Sequence, residues 1–69
     1  MDNKQNNSLC KRIKELRLKR HLSQDELARK ADVPYTTLTK IETRVIKKPS
    51  VYVVAKIAKA LNIKIDDLL

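Results

Sequence analysis

Few residues of this 69-residue chain have the side chains of a catalyst. There is one histidine, His21, and one cysteine, Cys10. One of each cannot complete a zinc site, which takes four ligands of the Cys and His type. No Ser/His/Asp or Cys/His nucleophilic arrangement can be assembled from them, and Asp66 and Asp67 are adjacent carboxylates, not a spaced acid/base pair. The chemistry the chain has in excess is cationic: 16 Lys plus Arg against 8 Asp plus Glu, a formal charge of +8. Such a balance points to a polyanionic partner and says nothing of fold. We therefore expect no enzyme, no metal and no cofactor.

The elements that position these charges must fit into one small domain, because so short a chain buries only a limited share of its surface. With 42% hydrophobic residues, 3% aromatic residues and no Gly, Trp or Phe, nearly every apolar side chain is needed for the core. A ligand pocket or a small-molecule domain is not expected. The lone Cys10 cannot form an intramolecular disulfide, and no apolar run approaches the roughly 20 residues that span a bilayer. Residues 1–8 lack the apolar core of a signal peptide, so the expectation is a reducing, cytoplasmic compartment and no membrane. A membrane-surface helix needs Trp or Phe on a large apolar face, and RNA recognition by stacking would have only two tyrosines to use.

Periodicity supplies the elements. Residues 1–8 are polar and Asn-rich and read as a disordered tail. Leu9, Ile13, Leu16 and Arg20 recur at helical spacing and give a first helix over about 9–20, with one stripe facing inward. Ser23-Gln24-Asp25-Glu26 fits the capping box, and Leu22 with Leu27 fits the hydrophobic staple, so a second helix runs from Gln24 to about Ala31. Pro34 cannot continue that helix and suits the start of a third, about 35–43, with Leu38 and Ile41 inward. Two helices separated only by Asp32-Val33-Pro34 must cross steeply, which is helix-turn-helix geometry. A basic segment, 44–49, ends in Pro49. Ser50 then caps a fourth helix over about 51–61, with Val54, Ile57, Ala58 and Leu61 inside. Val51 to Val54 alone has strand character, but AKIAKAL follows without a break and favours helix. Asn62 ends it, and residues 65–69 make a short last helix.

In this order the segments KRIKELRLKRHLSQDELARKADVP, TTLTKIE, KPS and KIAKALNIKIDDLL resemble the phage-repressor and Cro-type helix-turn-helix domains, often called XRE-like. The resemblance covers about residues 9–69 and implies an all-α, compact five-helix fold of lambda-repressor type. Members usually carry Gly after the first, second and fourth helices. Here those places hold His21, Asp32 and Asn62, residue types that tolerate a left-handed backbone better than most. The segment after the third helix looks about one residue longer than usual, with Arg44 near the usual Gly.

The resemblance also implies a function: a sequence-specific double-stranded DNA-binding transcriptional regulator, a repressor, acting as a homodimer on an inverted-repeat operator. The third helix would enter the major groove. Carried over, the base-contacting candidates are Tyr35, Thr36, Thr39 and Lys40, whose donors, hydroxyls and methyls suit base edges. Gln24, Thr37, Lys47 and Lys48 are the candidates for phosphate contacts, Gln24 because it opens a helix at its positive end. Arg17 and Glu42 are implied as a structural ion pair joining the first helix to the end of the third. Lys11, Lys14, Lys19, Arg29 and Lys30 read as solubilising faces. Cys10 reads as a small buried residue, the alternative being a redox sensor beside Lys11 and Arg12. Tyr52 and Val53 are expected to face away from the core. They are either scattered surface apolars or, with Ile65 and Leu69, a dimer or partner surface. The competing functional reading is a DNA-binding antitoxin-type or other interaction protein acting through a protein partner.

Overall fold

The computed structural model describes the backbone of residues 3–68 and the side chains of residues 9–68. Over these residues the chain is helical, with no strand: α1 (Asn3–Lys19), α2 (Gln24–Ala31), α3 (Tyr35–Glu42), α4 (Val51–Ala60) and α5 (Ile65–Leu68). The fold class is the one expected, and Leu69 lies outside the described residues. Helix α1 begins at Asn3 and takes in the backbone of residues 3–8. Once the stripe that starts at Leu9 has nucleated the helix, each added turn costs little, even without an apolar anchor.

Start signals act as the sequence implied. The Glu26 amide donates to Ser23 Oγ at 3.0 Å and the Ser23 amide to Glu26 Oε1 at 2.8 Å, completing the capping box. Ser50 Oγ accepts from the Val53 amide at 3.2 Å and starts α4. Pro34, in extended conformation, starts α3 without a side-chain cap.

The core is a single cluster with Ile13, Leu27, Leu38, Ile41, Ile57, Leu61 and Leu68 at its centre. Helix α2 packs on α3 and α4, α1 packs on α3 and α5, and α4 packs on α5. On α1 the buried line runs through Cys10, Ile13 and Arg17, flanked by the partly buried Leu9 and Leu16, while Arg20 is exposed. Val53, expected to face away from the core, is partly buried against it, as is Ile65. Val53 lies four residues before Ile57 and so shares the edge of its stripe. Ile65 sits one turn before buried Leu68, where so small a core recruits it.

Four described non-glycine residues take left-handed angles: His21, Asp32, Asn62 and Arg44, with φ of 56°, 58°, 60° and 65°. After the first three the chain closes the same way. The next residue donates to the carbonyl five back, Leu22 to Arg17, Val33 to Ala28 and Ile63 to Ala58, at 3.0–3.1 Å. Each of these donors is apolar and packs on the core. This is the Schellman closure with its hydrophobic contact.

Candidate nucleic-acid interface

Helix α3 has two unlike faces. Leu38 and Ile41 are fully buried, while Tyr35, Thr36 and Lys40 are exposed and Thr37 and Thr39 half-buried. Residues 36, 39, 40 and 43 share one side by helical spacing. Thr39 Oγ1 donates to the Thr36 carbonyl at 2.9 Å, and Thr43 Oγ1 to the Thr39 carbonyl at 2.8 Å. The Thr39 hydroxyl proton is therefore used within the helix. Its oxygen remains free to accept.

What holds α3 is a polar knot at its far end. Arg17 Nε donates to Glu42 Oε2 at 2.8 Å and a terminal nitrogen donates to Oε1 at 3.1 Å. The other terminal nitrogen donates to the Leu22 carbonyl at 2.7 Å. Gln24 Nε2 donates to Glu42 Oε1 at 2.9 Å. The Arg17 and Glu42 side chains are 9% and 1% exposed. The implied ion pair is thus present and bidentate, the geometry that makes such pairs strong. It joins α1, the turn after it, the first residue of α2 and the last of α3. The bond from Gln24 was not legible in the sequence. Its one signal was position, since a residue opening α2 next to the turn can reach back toward α1's partner.

The segment after α3 carries the remaining candidate cations. Lys47 and Lys48 are exposed, and Pro49 leads into the α4 cap. Ile46 is partly buried, its amide donating to the Lys40 carbonyl at 2.9 Å and its carbonyl accepting from Cys10 Sγ at 3.8 Å. Burial pushes the Cys10 thiol above its usual range, although Arg44 pulls the other way. A protonated, 1%-exposed thiol bonded to a carbonyl is a packing residue, and the redox reading is dropped. In α2, the hydrogen bonds from Ser23 hold the Glu26 carboxyl below its usual range.

The structure therefore brings Tyr35, Thr36, Thr39, Lys40, Lys47 and Lys48 onto α3 and the segment that follows it. It ties Gln24 into the knot, and it leaves Tyr52 exposed while Val53 and Ile65 are partly buried. Among the described residues no helix is long and apolar enough to cross a membrane, and no three His, Cys, Asp or Glu side chains are grouped to hold a metal ion.

Comparison with known proteins agrees with this geometry. Residues 13–68 match the helix-turn-helix family. A chain from a complex of the SinR and SinI proteins superposes with a TM-score of 0.84 at 33% identity, covering 88% of this chain and 59% of that one. A second solved structure, the master regulator for biofilm formation SinR in complex with DNA, gives 0.83 at 32% identity, covering 87% of this chain and 95% of that one. This chain thus spans about three-fifths of the first and nearly all of the second. A search of curated protein sequences gives no match. With most of its length matched and its five helices superposed, the chain belongs to the helix-turn-helix family of phage-repressor and Cro type, a family of DNA-binding regulators.

Proposed function

We propose that this chain is a sequence-specific double-stranded DNA-binding regulator of transcription, and that it acts as a repressor in the cytoplasm. The observation that carries the reading is the asymmetry of α3: its inner face and last residue are locked by the core and by Arg17 and Gln24, while its outer face is left to hydrogen-bond elsewhere. The 32%-identical SinR structure in complex with DNA supports the choice of partner.

In this reading α3 lies in the major groove. Lys40 donates to guanine O6 and N7, and Thr36 offers a hydroxyl to either kind of edge. Thr39, its proton already used, accepts from an exocyclic amine or packs its methyl on thymine. Tyr35, 49% exposed at the helix start, packs its ring on a neighbouring base. Phosphates are met by Lys47, Lys48 and Thr37. Gln24 joins them through the second proton of the amide that already holds Glu42. Two copies occupy half-sites about one helical turn, roughly 34 Å, apart on an inverted repeat. The exposed Val51 and Tyr52, beside the half-buried Val53, are the residues offered to a second copy. Bound over a promoter, the dimer excludes polymerase. A second reading, action through a protein partner, draws on the same two residues and on the SinR and SinI complex.

The test compares two lysines by fluorescence anisotropy on duplex DNA. Lys40→Ala is expected to lose about 1–3 kcal/mol of discrimination at one base pair, whereas Lys48→Ala weakens all duplexes alike and lowers the salt slope by about 1. Unchanged sequence preference in Lys40→Ala would remove α3 from the major groove.

A further inference from the structure

The cations on α1 read as solvated in the sequence, yet two of them stand around a cleft with the end of α3. Cys10, Lys11, Lys14, Glu42 and Arg44 line it. Its inner wall is closed by the buried Cys10 and by Glu42, whose side chain is 1% exposed. The Glu42 charge is already met by the bidentate Arg17 and by the Gln24 amide. The rim charges of Lys11 and Lys14 are therefore not cancelled by the carboxylate behind them. The cleft is also fixed in place: Cys10 Sγ and the Lys40 carbonyl hold Ile46, two residues after Arg44, on either side of it.

We propose that Lys11 and Lys14, on the α1 rim of this cleft, form a further phosphate-binding subsite for the backbone of duplex DNA, continuous with Lys47 and Lys48. The inference rests on the DNA-binding reading above and adds a contact from α1. Continuity identifies the occupant. Arg44 begins the segment whose Lys47 and Lys48 reach the backbone, so a strand followed along that segment passes the cleft next. The two lysines suit phosphate as point charges, with no pocket for a base. A second lysine-rich cleft makes the contrast. Lys30, Lys56 and Lys59 line it with Asp32 and Asn62 at the C-terminal ends of α2 and α4. There Lys56 Nζ donates to the Asp32 carbonyl at 3.5 Å, and the cations face the negative ends of two helices. No residue of α3 or of the following segment lines that cleft.

Two double variants with the same loss of charge separate a subsite from general attraction. The probe is the operator recovered by selection, with flanking DNA on both sides, titrated at several salt concentrations. For Lys11→Gln/Lys14→Gln we expect affinity about tenfold weaker or more near 0.15 M salt, and a salt slope shallower by about 2, since each phosphate contact contributes about 0.9. Base preference stays as in the wild type. Lys56→Gln/Lys59→Gln is expected to leave the slope unchanged. Ethylation of individual phosphates should then reveal positions that block the wild type and the Lys56/Lys59 variant but not the Lys11/Lys14 variant. Equal losses from the two double variants, or a wild-type slope in the first, would overturn the subsite while leaving the α3 reading intact. A wild type that shows no sequence preference for duplex DNA would overturn both. Circular dichroism melts confirm that each variant is folded, as exposed lysines allow.

Discussion

The two connections that flank α3 solve the same problem in opposite ways. Before it, Asp32 turns the chain left-handed, Val33 closes onto the Ala28 carbonyl and is buried, and Pro34 starts the next helix. After it, Arg44 turns the chain left-handed too, but Val45, the next residue, points into solvent at 70% exposure. The apolar contact that should follow arrives one residue late, in Ile46, whose amide reaches the carbonyl six back instead of five. The connection before α3 is thus a standard Schellman closure made from the best substitutes for glycine. The one after it is the same closure with one residue looped out. The first fixes the crossing of α2 and α3. The second leaves a basic, outward loop tied to α1 through the Ile46 carbonyl, and it is here that the proposed phosphate contacts lie.

Variants can break this comparison, and the largest effect is expected at neither connection but at the knot that both serve. Arg17→Ala strands the 1%-exposed Glu42 carboxylate, and breaking such a buried pair costs about 3–5 kcal/mol. Thermal melts should show it, with DNA affinity falling in parallel; an unchanged melting temperature would mean that α3 is positioned by packing alone. Next come the two valines. Val33→Ala should cost about 1–2 kcal/mol for the methyls it removes from the core, and Val45→Ala less than about 0.5 kcal/mol. Equal costs in urea denaturation would contradict the looped-out position.

A smaller effect isolates the backbone. Arg44→Gly and Arg44→Ala both lose the guanidinium, but only glycine takes φ of 65° without strain. The Gly variant should be the more stable by about 1 kcal/mol. The same pair at Asp32 should rank the same way. The smallest effect is expected at the start of α2. The folded-state pKa of Glu26 is lowered, so its contribution is complete above the ordinary carboxylate range and fades as pH falls through it. Glu26→Gln keeps the box as a neutral pair and should flatten the acid side of a stability–pH profile. An acid limb as steep as that of the wild type would assign the acid sensitivity to other carboxylates.

How much of this could be read from the chain differs by element for physical reasons. The capping box, the Pro34 start and the Ser50 cap are local in sequence, and each was legible because its partners lie within three residues. The left-handed angles of His21, Asp32 and Asn62 followed from residue type and from the glycines they replace. The bond from Gln24 to Glu42 spans 18 residues and leaves no periodic trace. Val53 was misplaced because one helical position separates the edge of a stripe from its outside. Lys11 and Lys14 looked like solvated cations because their neighbour Arg44 is some thirty residues away along the chain, and only the fold brings the three around one cleft.

In the proposed function α3, held from behind by Arg17 and Glu42, reads bases with its outer face. Selection from random-sequence duplex DNA, run in parallel on the wild type and on Lys40→Ala, tests it most directly. If α3 reads bases, the wild type yields an inverted-repeat consensus with half-site centres about one helical turn apart, and the variant is degenerate at one position per half-site. Retention of DNA without any enriched sequence, or identical consensus sequences from the two proteins, would contradict it.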